Sequence, residues 1–264
     1  GGNNRVILAT DGDLNVGLSS ESELTRLSEE KRESGVFLSV LGFGTGNYKD
    51  NRLEALADYG NGNYSYIDSE KEAKKVLVDE MSGTLFTVAK DVKFQLEFNP
   101  ANVKGYRLIG YENRVMAAED FNDDTKDAGE IGAGHSVTVL YEIVPADSKM
   151  ELGESELKYA SDSEGVMGDE LLTVNIRYKE PEGSESKLLT YPVNKSLYSD
   201  KMSADMNFAS CVAEFGMLLR NSRYIGDVTY KDVSTQLSRY DYSDDDYKDE
   251  FIYLVNTMKR RAIN

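Results

Sequence analysis

Residues 5–17 read R-V-I-L-A-T-D-G-D-L-N-V-G, and this stretch decides the fold of the first part of the chain. Val6, Ile7, Leu8 and Ala9 form a continuous apolar run of the kind found in a parallel strand buried on both faces, and Gly12 breaks it sharply. Asp11 therefore falls at a strand's carboxyl end. Ligands of open α/β sheets bind just outside the carboxyl ends of the strands, so a carboxylate there is well placed for a cation or a polar ligand. An Asp-Gly pair is also a common turn, and that reading stands beside the functional one.

Working outward, Ser20 and Glu23 have the spacing of a capping box, and Leu24 and Leu27 form a thin apolar stripe on a charged helix that ends near Gly35. Val36 to Phe43 reads as a second buried strand, released by G-F-G-T-G into another loop on the crevice side. That loop lacks the lysine of a phosphate loop and the spacing of a dinucleotide turn, so it reads as a plain connection. Leu53, Leu56 and Ala57 mark a short helix stopped by Gly60, and Tyr64 to Ile67 a third strand. Strand, helix, strand, helix, strand implies a parallel sheet with right-handed crossovers. Ser69 and Glu72 suggest a second capping box, after which Ala73, Val76, Leu77, Met81, Leu85 and Val88 recur at helical spacing over about five turns.

From Asp91 the period changes to two. Val92, Phe94, Leu96 and Phe98 alternate with Lys93, Gln95 and Glu97, and Pro100 ends the run. Tyr106 to Tyr111, Val137 to Val144, Leu171 to Tyr178 and Leu188 to Val193 read as further strands between polar loops, the pattern of an antiparallel sandwich. Helical signals return from Ser196: Met206 to Leu219, a shorter segment at Val233 and Leu237, and a last one from Phe251 to Met258. The expected fold class is thus α/β plus β. A partial doubly wound parallel sheet occupies residues 1–90, and an antiparallel β-sandwich occupies 91–264, with terminal helices over about 196–264.

Taken together, the strand ending T-D-G-D, the segment V-F-L-S-V-L-G-F-G-T-G-N-Y and the later L-A-D-Y-G-N-G-N-Y-S-Y-I-D resemble the second half of a von Willebrand factor A domain. E-F-N-P-A-N-V, Y-R-L-I-G-Y-E-N-R and D-A-G-E-I-G-A-G-H resemble the uncharacterised region that follows this domain in the bacterial YfbK-like family, so the resemblance covers nearly the whole chain. It implies a metal-ion-dependent adhesion site, in which oxygen ligands from three loops hold Mg²⁺ and one position is left for a partner's carboxylate. Asp11 matches the last of those loops, and no D-x-S-x-S, the first loop, occurs in the 264 residues. The site is incomplete here, and the pattern reads as that of an N-terminally truncated product in which part of a sheet face and one strand edge are uncovered. The resemblance further implies a non-enzymatic module that binds a protein ligand through an acidic side chain, in the cell envelope or secreted. The alternative is a structural or assembly role in which the metal loop is vestigial.

Composition narrows the other classes. A net charge of −17, from 47 acidic and 30 basic residues, disfavours nucleic acid and anionic membranes as partners. No apolar run approaches the roughly 20 residues needed to cross a bilayer. The single cysteine, Cys211, lies on the apolar part of its helix and reads as a buried, inert thiol; it excludes an intrachain disulfide. His135, the only histidine, follows Gly134 as a turn residue, and there is no G-x-S-x-G elbow. The acidic run Asp120 to Asp127 has Thr125 and Ile131 where a calcium loop needs Gly and Glu, so a solvated hairpin tip is the better reading. Asp241 to Glu250 precede a helix that ends in Lys259, Arg260 and Arg261, an arrangement that complements the helix dipole. Of 17 tyrosines, Tyr106, Tyr111, Tyr141 and Tyr178 are expected within strands as half-buried rings with wet hydroxyls.

Overall fold

The computed structural model describes residues 4–11, 21–44, 50–81, 83, 86–111, 115–126, 128–151 and 168–262. The chain divides into two compact units, one of residues 1–96, 116–137 and 174–191, the other of 97–115, 138–173 and 192–264.

The first unit contains the expected parallel sheet. Strands β1 (Asn4–Thr10), β2 (Val36–Phe43) and β3 (Tyr64–Ile67) lie in the order β1-β2-β3. Both pairings are parallel, from Asn4↔Val36 to Thr10↔Gly42 and from Val40↔Tyr64 to Phe43↔Ile67. Helices α1 (Glu21–Glu33) and α2 (Asp50–Tyr59) supply the connections. Their apolar stripes meet the middle strand in a core of Val40, Leu53, Leu56 and Ala57, against which Leu8, Leu24, Leu38 and Tyr64 pack. The central strand is therefore the one covered on both faces: Ser39 to Gly42 are all buried.

β1 departs from expectation. Among the described residues it pairs with β2 alone, and Val6 and Ile7 remain 50% and 40% exposed, so its apolar run does not report burial on both faces. Apolar continuity describes what a strand is suited to contact, and on an edge the contact is absent. The proposed capping residue Ser20 lies outside the described residues.

The turn from α2 into β3 is set by backbone proximity. Gly62 lies so close to β2 that an added Cβ would stand 1.8 Å from the Leu38 carbonyl oxygen, which only glycine tolerates. Leu38 and Val40 donate their N–H groups to the carbonyls of Gly60 and Asn63, each at 2.9 Å, tying the turn to the sheet.

The five-turn helix expected to Val88 does not form. Ser69 does cap, its hydroxyl accepting from the Glu72 N–H at 3.1 Å, but α3 spans only Glu70–Lys74 before a π-helical turn over Lys75–Asp79. Val88 already belongs to strand β4 (Thr87–Phe98) and is 49% exposed. The helical spacing of Val88 is thus a coincidence of two elements, since a π turn shifts the face that every later residue presents. Leu85 lies outside the described residues.

β4 takes part in a four-stranded sheet of order β6-β4-β8-β9, with β6 at Gly129–Gly132, β8 at Glu170–Lys179 and β9 at Ser186–Asn194. β4 and β6 run antiparallel through Thr87↔Gly132, Ala89↔Ile131 and Val92↔Gly129, with irregularities between these pairs. Asp91 sits in the second irregularity with a φ of +52°.

In the second unit β5 (Val103–Ile109) pairs antiparallel with β7 (Leu140–Pro145). The expected strand from Val137 begins only at Leu140, and Tyr111 lies beyond β5 with a φ of +59°. Phe98 stacks on Tyr106 with ring centroids 4.0 Å apart, and Tyr141 tilts against both. The helices α4 (Ala204–Leu219), α5 (Tyr230–Leu237) and α6 (Asp246–Ala262) enclose Cys211, Phe215, Val233, Leu237, Tyr242 and Val255. Each has a sequence-encoded start. The Ser203 hydroxyl accepts from the Met206 N–H, Thr229 and Asp232 form a reciprocal capping box, and Asp245 Oδ1 accepts from the Tyr247 and Lys248 N–H groups. Acidic Asp246 and Asp249 at the start of α6 and Lys259, Arg260 and Arg261 at its end complement its dipole, as expected. Among the described residues no helix is long and apolar enough to cross a membrane.

Candidate functional site at the carboxyl edge of the parallel sheet

All three parallel strands deliver their carboxyl ends to one edge, and Asp11 stands there directly after β1. It is exposed. On the neighbouring strand Gly44 follows β2 with a φ of +98°, and a Cβ built on it would lie 3.8 Å from Asp11 Cβ. The Tyr66 hydroxyl donates to the Gly44 carbonyl at 2.5 Å, which holds the end of β2 toward β3. Asp68 directly follows β3 and is also exposed, so a carboxylate terminates each strand that flanks β2.

This donor set is hard oxygen, the type that Mg²⁺ prefers. In kind it fits; in number it does not. Among the described residues no three His, Cys, Asp or Glu side chains stand close enough together to hold a metal ion. The loops over 12–20 and 45–49, which continue from Asp11 and Gly44, lie outside the described residues. Asp68, Gly44 and Tyr66 were not singled out from sequence, although β3 ends Ile67-Asp68 much as β1 ends Thr10-Asp11, and that parallel was there to be read.

The other chemical candidates fall elsewhere. The acidic run is solvent-exposed at residues 122 and 124–126, as expected, but it is not a hairpin tip, since β5 pairs with β7 and β6 with β4. Residues Ala118–Asn122 form a 3-10 turn with Phe121 buried, and Asp123 carries an Asx turn to Thr125. The ammonium of Lys93, a residue only 3% exposed, donates to the carbonyls of Asp120 and Asp123, while that of Lys179 donates to the carbonyl of Asp124. Carbonyls that a calcium ion would need are thus turned onto lysines. Asp124 directs its carboxylate to Ser186 and Arg177, and these hydrogen bonds hold its pKa below the ordinary carboxylate value. Sequence could not show this, because nothing local pairs residue 93 or 179 with the loop. Asp127 is outside the described residues.

His135 lies in the turn after Gly134, near Gly83. Cys211 is fully buried, and burial pushes its thiol up to about 11, which leaves it protonated and unreactive at neutral pH.

The family model described as "Uncharacterized protein YfbK, C-terminal" matches residues 83–260. The chain belongs to the YfbK family. It is 43% identical over 259 residues to the uncharacterized protein YfbK of Escherichia coli strain K12, covering 97% of this chain and 44% of that protein. The chain thus spans less than half the length of this family relative. Among solved structures, a von Willebrand factor type A protein from Catenulispora acidiphila superposes with a TM-score of 0.39 at 14% identity, over 96% of this chain and 57% of that one. The human COPII-coat protein Sec24c gives 0.39 at 13% identity, over 88% and 32%.

Proposed function

We propose that this YfbK-family chain is part of a non-enzymatic, adhesion-type protein-binding module of the cell envelope or of a secreted protein. Asp11 contributes to a Mg²⁺ site, and the metal's remaining position accepts an acidic side chain of the protein ligand. The observation that carries this reading is the placement of Asp11 at the carboxyl end of a parallel strand, beside Gly44. When bound, Mg²⁺ would supply a positive charge able to attract a carboxylate. Asp11 would neutralise part of that charge and fix the ion at the sheet edge, and Gly44, lacking a side chain, leaves room beside it.

Isothermal titration of Mg²⁺ into the protein at its natural length, as wild type and as Asp11→Ala, tests this. Saturable binding that Asp11→Ala weakens at least tenfold is expected. Binding that Asp11→Ala leaves unchanged removes Asp11 from the site.

A structural or assembly role is favoured by a different observation. Among the described residues β9 ends the four-stranded sheet, and it exposes Leu188, Leu189 and Tyr191. Catalysis has no such support. Hydrolase activity that a folded His135→Ala variant loses would reverse that assessment.

A further inference from the structure

Helix α6 (Asp246–Ala262) turns one face to the core and the opposite face to solvent. Val255 is fully buried, Phe251, Ile252 and Met258 pack against the same core, and the Lys259 ammonium donates to the Ser234 hydroxyl at 3.1 Å. The outer face carries Asp246, Glu250, Tyr253, Leu254, Thr257 and Arg261, which lie together because the steps between them are four, three, one, three and four residues. Asp246, Glu250 and Arg261 are exposed, and at the centre Tyr253 and Leu254 are 63% and 48% exposed. The helix dipole accounts for acid at the start and base at the end. It does not account for two adjacent large apolar side chains set between them in water.

Those steps read the same in either direction from the midpoint between Tyr253 and Leu254. A helix face with that symmetry matches itself when turned end for end. From this we infer that the outer face of α6 is the interface of a two-fold homodimer, in which α6 packs antiparallel against α6 of a second copy. The pairing sets Tyr253 of each copy against Leu254 of the other, Glu250 against Thr257 and Asp246 against Arg261. Each contact occurs twice, as a two-fold axis requires. A parallel pairing would set Asp246 on Asp246 and Arg261 on Arg261, so charge selects the antiparallel one.

Charge also selects the occupant. At a net charge of −17 most of the surface of one copy repels another, so a self-contact has to bring base to acid, and α6 does so at both of its ends. Its 17 residues span about 25 Å, and a shallow crossing of about 20° keeps the terminal acids and arginines within reach of one another. A helix pair of that length buries an area at the low end of the roughly 1,200–2,000 Å² of stable interfaces, so the dimer exchanges with monomer rather than being permanent. Single exposed apolar residues are ordinary on a protein surface; the self-matching order of acid, apolar pair and base is what points to a second copy. The inference depends neither on Asp11 nor on a metal.

Sedimentation equilibrium of the protein at its natural length, over a concentration series, tests this. A reversible monomer–dimer equilibrium is expected. Leu254→Ser should weaken it at least about tenfold, because the apolar centre is lost from both copies. Asp246→Arg and Arg261→Asp should each weaken it by about tenfold or more, since each sets like charges together at both ends of the pair. An equimolar mixture of these two variants should dimerise again, because base then meets acid at both ends, and that recovery also shows both variants to be folded. A wild-type protein that stays monomeric at every concentration overturns the inference, whether or not this face takes up some other protein. So does a dimer that Leu254→Ser leaves intact, which would put the contact elsewhere, for example on the edge of β9. Failure of the mixture to dimerise, with both variants folded by circular dichroism, overturns the antiparallel pairing and the inference with it.

Discussion

Replacing Gly62 with alanine tests the account of the parallel sheet directly. The new Cβ would lie 1.8 Å from the Leu38 oxygen, 2.3 Å from the Leu38 carbonyl carbon and 2.7 Å from the Ser39 nitrogen. All three are main-chain atoms of the central strand, so no flexible side chain can yield. Relief requires moving the turn away from β2, which strains the hydrogen bonds from Leu38 to Gly60 and from Val40 to Asn63. Overpacking costs about 1–3 kcal/mol. Two weakened hydrogen bonds add about 1 kcal/mol each. A destabilisation of about 3–5 kcal/mol follows. The matched control is Gly35→Ala, where φ is +79° but nothing lies within 4 Å of the added carbon. Its cost is the left-handed backbone alone, about 1–2 kcal/mol. Urea unfolding of both variants, followed by far-ultraviolet circular dichroism, measures the difference from the shift in midpoint. If Gly62→Ala is no less stable than Gly35→Ala, the close approach of the turn to β2 is wrong.

Three further outcomes are expected. The 264-residue chain should bind Mg²⁺ no better than about millimolar, because one or two carboxylates do not replace the water that Mg²⁺ surrenders reluctantly; a stoichiometric micromolar site by calorimetry would refute this. Hydrogen bonds from Thr229 hold Asp232 below the ordinary carboxylate pKa, so the cap of α5 stabilises the fold above that value and is lost as pH falls through the lower folded-state pKa. Asp232→Asn should therefore flatten the acid side of the stability profile, and an unchanged acid limb would contradict the cap's role. Limited proteolysis should cut near Asp244 before it cuts between Ala89 and Val92, since the latter lie within β4 and are paired with β6; early cleavage at Lys90 would show that strand to be open.

Much of the architecture was legible because it depends on short-range chemistry. The run Val36 to Phe43, the glycine stop at Gly60 and the amphipathic stripes after residue 203 each announce an element through spacing and turn residues alone, and each is present. The local cap at Ser69 follows for the same reason: donor and acceptor lie three residues apart. Asp11 could be placed at a strand end from T-D-G because strand termination is local too.

What the tertiary structure alone decided involves partners far apart in the chain. An apolar run does not say whether a strand is central or at an edge, so β1 and β2 read alike, yet among the described strands of this sheet β2 is the one paired on both sides. The stripe from Ala73 to Val88 kept helical spacing while the chain passed through a π turn into a strand whose pairing partner lies some forty residues later, as in Ala89↔Ile131. Lys93 and Lys179 carry no mark of burial in their neighbours. Their charges are tolerated because carbonyls and a carboxylate from other segments surround them, and a charge without such partners would not remain buried. Periodicity and turn chemistry thus determined which elements this chain makes, whereas long-range pairing determined which surfaces they cover and which acids and bases meet.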